Sequence, residues 1–170
     1  MPKTEVRNAI EAYLTPQKSN ITHLGAVYPA LPKVANESDL FAFEPPGTGV
    51  GALIFMFIES QEETRIAFGG PYNGRKFRPY TLALLCVMKS DLRTAAEGQA
   101  EFDTFIDSLT AYIQADRNAG DPSVIFQWGE GGERSGPDLR IDYPVPKTSK
   151  GGVMIFQAVA RITVCEVLDT

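Results

Sequence analysis

Val50-Gly-Ala-Leu-Ile-Phe-Met-Phe-Ile-Glu59 is almost wholly apolar, the pattern of a strand covered on both faces, because a half-solvated strand alternates. Downstream of it, Thr64–Phe68 and Phe77–Met88 read as further strands. The connection Gly69-Gly-Pro-Tyr-Asn-Gly-Arg-Lys76 between them holds Asn73-Gly74, a strong reverse-turn signal. Together these segments read as three consecutive antiparallel strands.

The flanks are of a different kind. Thr4–Leu14 reads as a short amphipathic helix, with Thr4 as cap, Val6, Ala9, Ile10, Tyr13 and Leu14 on one face, and Pro16 as the stop. A Pro-rich approach follows (Pro29, Pro32, Pro45, Pro46), with short strand signals at Ala26–Tyr28 and Asp39–Phe43. Downstream, Thr94–Arg117 is the clearest helix. Phe102, Phe105, Ile106, Leu109, Tyr112 and Ile113 recur at helical spacing, and Gly120-Asp121-Pro122 ends the element. Ser123–Trp128 and Asp138–Tyr143 read as short strands, and Pro144–Gly152 as a long turn. Val153–Leu168 closes the fold as one strand or as two joined by a bulge. Helix, strands, helix, strands, with no repeating βα unit, predicts an α+β fold: an antiparallel or mixed β-sheet with a short N-terminal helix and one long helix packed on it. No linker or internal repeat divides residues 1–170, so one domain is expected.

With 170 residues the chain is long enough for a full core without staples. Sixteen Lys and Arg against twenty-one Asp and Glu leave a net charge of −5, which argues against sequence-reading nucleic-acid binding. Gly and Pro make up about 16% of the chain, above the usual share of about 12%, so turns are frequent. The opening MPKTEVRNAIEAYL lacks the apolar run and small-residue cleavage site of a signal peptide. The longest apolar stretch, Ala52–Ile58, is too short to span a bilayer. The expected setting is the cytosol, with no membrane partner. Cys86 and Cys165 lie in apolar β-like runs, as buried free thiols or as a disulfide.

A search for catalytic chemistry returns little. His23 is the single histidine; any Ser-His-Asp or Cys-His arrangement needs it, and no GxSxG accompanies it. A loop histidine beside Thr22 and Leu24 reads first as a hydrogen-bonded surface group. No CxxC, HExxH or calcium-loop pattern is present, so no metal, cofactor or catalytic residue is expected. Gly47-Thr-Gly-Val-Gly51 precedes a strand and lacks a following Lys-Ser/Thr, so turn geometry explains it better than a phosphate loop.

Charged and aromatic clusters remain. Residues 91–121 hold seven acidic and two basic groups, with Asp103 and Asp107 at i, i+4 and Glu97 nearby. This is either a solvated helix face, or a face that meets a basic partner or lines a space kept electronegative. Arg75, Lys76 and Arg78 cluster beside Tyr72 at the end of a turn. Such a patch can bind nucleic acid, but in an acidic chain it reads better as a subunit contact. Trp128 opens the glycine-rich 129–137 loop with Glu130 and Arg134, either as a partner anchor or as a cap on the core.

The layout resembles a known family. A short helix, a Pro-rich approach, a long apolar strand, the hairpin GGPYNGRKFRPYTLALL, an acidic helix ending IQADRNAG, then VIFQWGEGG and FQAVARITVCEVL together look like the tail terminator (tail completion) proteins of long-tailed bacteriophages, particularly those of actinobacterial hosts. The resemblance covers essentially the whole chain and rests on layout and short phrases. It implies a virion protein made in the host cytoplasm, six copies of which form a ring at the head-proximal end of the tail tube. The ring ends tube polymerisation and joins the tail to the head connector. Its partners are then other copies of itself, the tube protein and a head-completion or connector protein, while genomic DNA passes without specific binding. Glu97, Asp103 and Asp107 become an electronegative lining, and Tyr72, Arg75, Lys76, Arg78, Trp128, Glu130 and Arg134 subunit or partner contacts. The family supplies no catalytic residues. A head-completion or connector subunit, and a small α+β enzyme or ligand-binding domain, are the competing expectations.

Overall fold

The computed structural model describes residues 3–31, 51–62, 64–65, 75–90, 95–115, 126–128, 139–144, 147–148 and 154–169. Helix α1, Lys3–Leu14, buries Val6, Ile10, Tyr13 and Leu14, the face expected from their spacing. Thr4 lies within its first turn and not at a cap. Pro16 ends the α-helix, but the chain keeps turning as a 3-10 turn over Thr15–Ser19, because a proline in a first turn removes no hydrogen bond.

Strands β1 (Leu24–Tyr28), β2 (Ala52–Gln61), β3 (Thr64–Arg65) and β4 (Arg75–Ser90) precede helix α2 (Ala95–Ala115). Strands β5 (Phe126–Trp128), β6 (Arg140–Asp142), β7 (Lys147–Thr148) and β8 (Met154–Asp169) follow it. The fold class is α+β, as expected. At the sheet's centre β4 and β8 pair antiparallel in one unbroken register, from Arg75 opposite Asp169 to Ser90 opposite Met154. The closing segment is therefore one strand without a bulge.

The other edge of β4 takes β2 and then β3. The three consecutive antiparallel strands expected here are thus corrected. A register shift between Ile58 and Ser60 interrupts β2, and the chain resumes on the same edge of β4 as β3, with Thr64 opposite Phe77. On the far edge of β8, strands β5, β6 and β7 follow one another, all antiparallel to it. Strand β7 lies inside the stretch read as a long turn, because the free edge of β8 offers ladder partners there. Strand β1 joins β2 in parallel, so the sheet is mixed. The strand expected at Asp39–Phe43, Gly47 and Gly49, the turn at 69–74, Gly120–Pro122 and the 129–137 loop lie outside the described residues.

Alternation sorts the sheet into two faces. Ala52, Ile54, Met56, the even residues Tyr80–Met88 and the even residues Phe156–Val164 form one buried cluster with α1 and α2. Both helices therefore pack on one face. Tyr13 of α1 meets Tyr112 of α2 at a ring separation of 5.2 Å. The Thr22 N–H donates to the Ser108 hydroxyl (3.0 Å), which in turn donates to the Phe105 carbonyl (3.0 Å). On the opposite face Leu53, Phe55, Val87 and Ile155 make a second cluster, with Tyr28 stacked on Phe55. The segment Ala52–Met56 is buried on both faces, as its apolar run predicts.

Gly51 has a packing role. A Cβ on it would stand 3.0 Å from the Gly25 Cα, and one on Gly25 would stand 3.1 Å from the Ala52 carbonyl oxygen. Gly25 sits at the register shift of the parallel β1–β2 pair, so the two backbones approach too closely for side chains. The turn expectation for this glycine is replaced by close strand contact.

Cys86 is fully buried on the helix-covered face. It stands opposite Ala158, seven positions along β8 from Cys165, roughly 23 Å at the rise of a strand. A disulfide within the chain is therefore excluded, since it needs Cα atoms within about 7 Å.

Candidate functional site

Helix α2 is seated by its apolar stripe. Phe102, Phe105, Ile106, Leu109 and Ile113 are each at most 1% exposed, and burial of side chains this size contributes about 1.5–3 kcal/mol apiece. Phe102 stacks on Phe156 of β8 with ring centroids 5.8 Å apart, which fixes the first half of the helix over the sheet. The opposite side of α2 carries Glu97, Asp103 and Asp107, all exposed. With Glu101 they make four carboxylates, and α2 contains no Lys, Arg or His. The structure thus puts the three predicted acidic residues on one solvent-facing side of a firmly held helix.

Beside that helix lies a groove of about 440 Å³. Phe102 and Phe156 form its buried floor. Gln99 and Asp103 line it from α2, and Tyr143 and Gln157 line it from the β6–β8 side. The Gln99 side-chain N–H donates to Asp103 Oδ1 at 2.6 Å. Tyr143 is 56% exposed. Partial burial pushes its phenol pKa up, and the Asp103 and Asp107 carboxylates add to the rise because a phenolate beside them is repelled. Of this group the sequence pointed only to Asp103 and Phe102. Tyr143, Gln99 and Gln157 were missed, the one available signal being an aromatic directly before Pro144.

A second polar arrangement spans the open face of the sheet. The Arg161 guanidinium on β8 donates to Glu59 of β2 at 2.8 Å and also to Asp142 of β6. Arg140 completes the row, donating to Asp142 at 3.2 Å. Arg161 reaches β2 across β4 because Ala83, its ladder partner, has too small a side chain to obstruct it. The hydrogen bond to Glu59 holds the guanidinium above its usual range, and Asp142 acts in the same direction. Alongside, the Ser60 hydroxyl donates to that of Thr81 at 2.9 Å. Sequence reading gave no hint of this row, since its members lie up to 102 positions apart.

The predicted basic cluster is differently placed from what was expected. Arg75, Lys76 and Arg78 belong to the first residues of β4 and not to a loop, and their ladder partners are Asp169, Leu168 and Glu166. They are in strand because β8 runs the full length of β4 and supplies a partner to each. Arg78 is half-buried. Trp128 ends β5, opposite Val164. Tyr72, Glu130 and Arg134 lie outside the described residues.

His23 is half-buried, with φ at 64°. Its carbonyl accepts the Ala52 N–H at 2.7 Å, which ties the start of β1 to β2. Among the described residues no group of three or more His, Cys, Asp or Glu side chains is placed to share a metal ion. No described helix is long and apolar enough to cross a membrane. No family model matches the chain, and no curated protein matches it.

Proposed function

We propose that this chain is a structural virion protein. Six copies form a ring at the head-proximal end of a phage tail tube, ending tube polymerisation and joining the tail to the head connector. The observation that most supports this reading is the acidic side of α2. Glu97, Asp103 and Asp107 face solvent from a helix locked to the sheet by its aromatic stripe. A rigid helix face that carries carboxylates and no base of its own repels phosphate backbones, which is what a ring around a moving genome needs. The ladder of β4 and β8 supplies a stiff platform for it. On this reading the partners are other copies of the chain, the tube protein and the connector, and the place of action is the virion.

Native mass measurement with negative-stain imaging over a wide concentration range tests the proposal. Six-fold rings with a hole that admits duplex DNA are the expected outcome, either for the free chain or on addition of tail tubes. A chain that stays monomeric and also fails to bind tubes overturns it. Binding to a portal-side adaptor and not to tubes moves the chain to the connector side of the joint.

A further inference from the structure

We propose that the groove between α2 and Tyr143 is a binding site for an arginine side chain presented by a protein partner. Shape gives the first argument. Phe102 and Phe156 lie buried beneath the groove, and the exposed rings of Tyr143 and Pro144 give it an apolar wall that suits the methylene stem of a long basic side chain. Tyr143 stands at the rim with more than half of its surface in water. A large ring left exposed beside a recess is the type of group that anchors protein contacts.

Charge gives the second argument. Asp103 lines the α2 side of the groove, Asp107 follows one turn later, and α2 has no base to neutralise either. Among the described residues Gln99 is the hydrogen-bond partner of Asp103, and it occupies Oδ1. No described residue is bonded to the second carboxylate oxygen, which can accept from an incoming donor. These features select guanidinium over ammonium. A planar guanidinium stacks on a phenol ring while its fork donates to a carboxylate. An ammonium is more strongly hydrated and donates from a point, so it loses more on entering an apolar-walled recess. The same negative charge disfavours nucleic acid as the occupant. The site stands independently of the ring reading, because no neighbouring copy enters the argument.

The test is an NMR titration of the full chain with the blocked tripeptide acetyl-Gly-Arg-Gly-amide, following the ring resonances of Tyr143 and Phe102. Parallel titrations use peptides with lysine or citrulline in place of arginine. Saturable shifts with the arginine peptide are expected, with affinity about tenfold or more lower for citrulline, for Asp103→Asn and for Tyr143→Ala, since each removes a charge-assisted bond or the stacking face. Unchanged Phe105 resonances show that the variants keep the fold. Should a variant lose them, the comparison of arginine with citrulline on the unaltered chain decides. Absence of a saturable shift, equal binding of lysine or citrulline peptides, or undiminished binding by folded Asp103→Asn overturns the proposal.

Discussion

The two faces of the sheet are built from the same strands and on opposite principles. On the helix-covered face, every described position from Tyr80 to Met88 and from Phe156 to Val164 is apolar, and two helices close over them. The other face changes character along its length. It begins with Leu53, Phe55, Val87 and Ile155 and ends with Glu59, Ser60, Thr81, Arg161 and Asp142. One face obtains its strength from packing, which depends on local shape. The polar half of the other depends on charges brought together from distant parts of the chain.

If that contrast is right, truncations on the helix side should do the most damage. Phe105→Ala or Leu109→Ala is expected to cost roughly 2–5 kcal/mol in chemical denaturation, as buried large-to-small changes do. A loss under about 1 kcal/mol would show that α2 is not seated by that stripe. Next in size comes the strand contact that joins β1 to the sheet. Gly51→Ala places a Cβ 3.0 Å from a backbone carbon and is expected to cost about 1–3 kcal/mol, as overpacking does. An unchanged midpoint would mean the two strands can separate freely.

The thiol inside the packed face gives a pH signature. Burial pushes the Cys86 pKa up to about 12, against an ordinary value near 9 in the unfolded chain. Between those pH values the unfolded state has released the proton and the folded state still holds it. Stability is therefore fully present below about pH 9 and falls as the pH rises toward 12, by about 1.4 kcal/mol per pH unit from this group. Stability curves of the natural chain and Cys86→Ala, recorded on both sides of pH 9, should diverge only on the alkaline side. Parallel curves throughout would place the thiol in contact with water.

The smallest effects belong to the polar face. Arg161→Met should produce a modest loss that shrinks as salt is added, because the row is partly solvated. A loss as large as that of Phe105→Ala would erase the contrast between the faces. Reversing Asp103 and Asp107 to Lys should barely change the denaturation midpoint but should impair particle assembly or genome passage. Normal infectivity from such particles would remove the acidic side of α2 from the proposed function.

What the sequence disclosed follows the same division. The stripe of α2 and the alternation of β4 and β8 repeat within one element, so spacing alone reveals them. Even the double burial of Ala52–Met56 was readable, because an unbroken apolar run has no solvated face. The parallel docking of β1, the return of β3 to the edge of β4 and the pairing of Lys147–Thr148 were not. Each depends on which backbone edge is free once the other strands are placed. The groove shows the same limit. Asp103 was identified by its acidic neighbours, whereas Tyr143 became meaningful only when the ladder of β6 on β8 carried it beside α2.

The long ladder between β4 and β8 also governs when the molecule can become itself. Every partner of Arg75–Ser90 on that side comes from Met154–Asp169, so the central seam of the sheet cannot close until the last of these residues has been synthesised. Contacts so distant in sequence carry a large loop-closure cost and slow the search for the native state. Until then, β2 and β4 can form a hairpin, but its apolar edge stays unpaired and prone to meet other chains. The seam should therefore close nearly all-or-none, with β8 acting as the latch for the strands made before it.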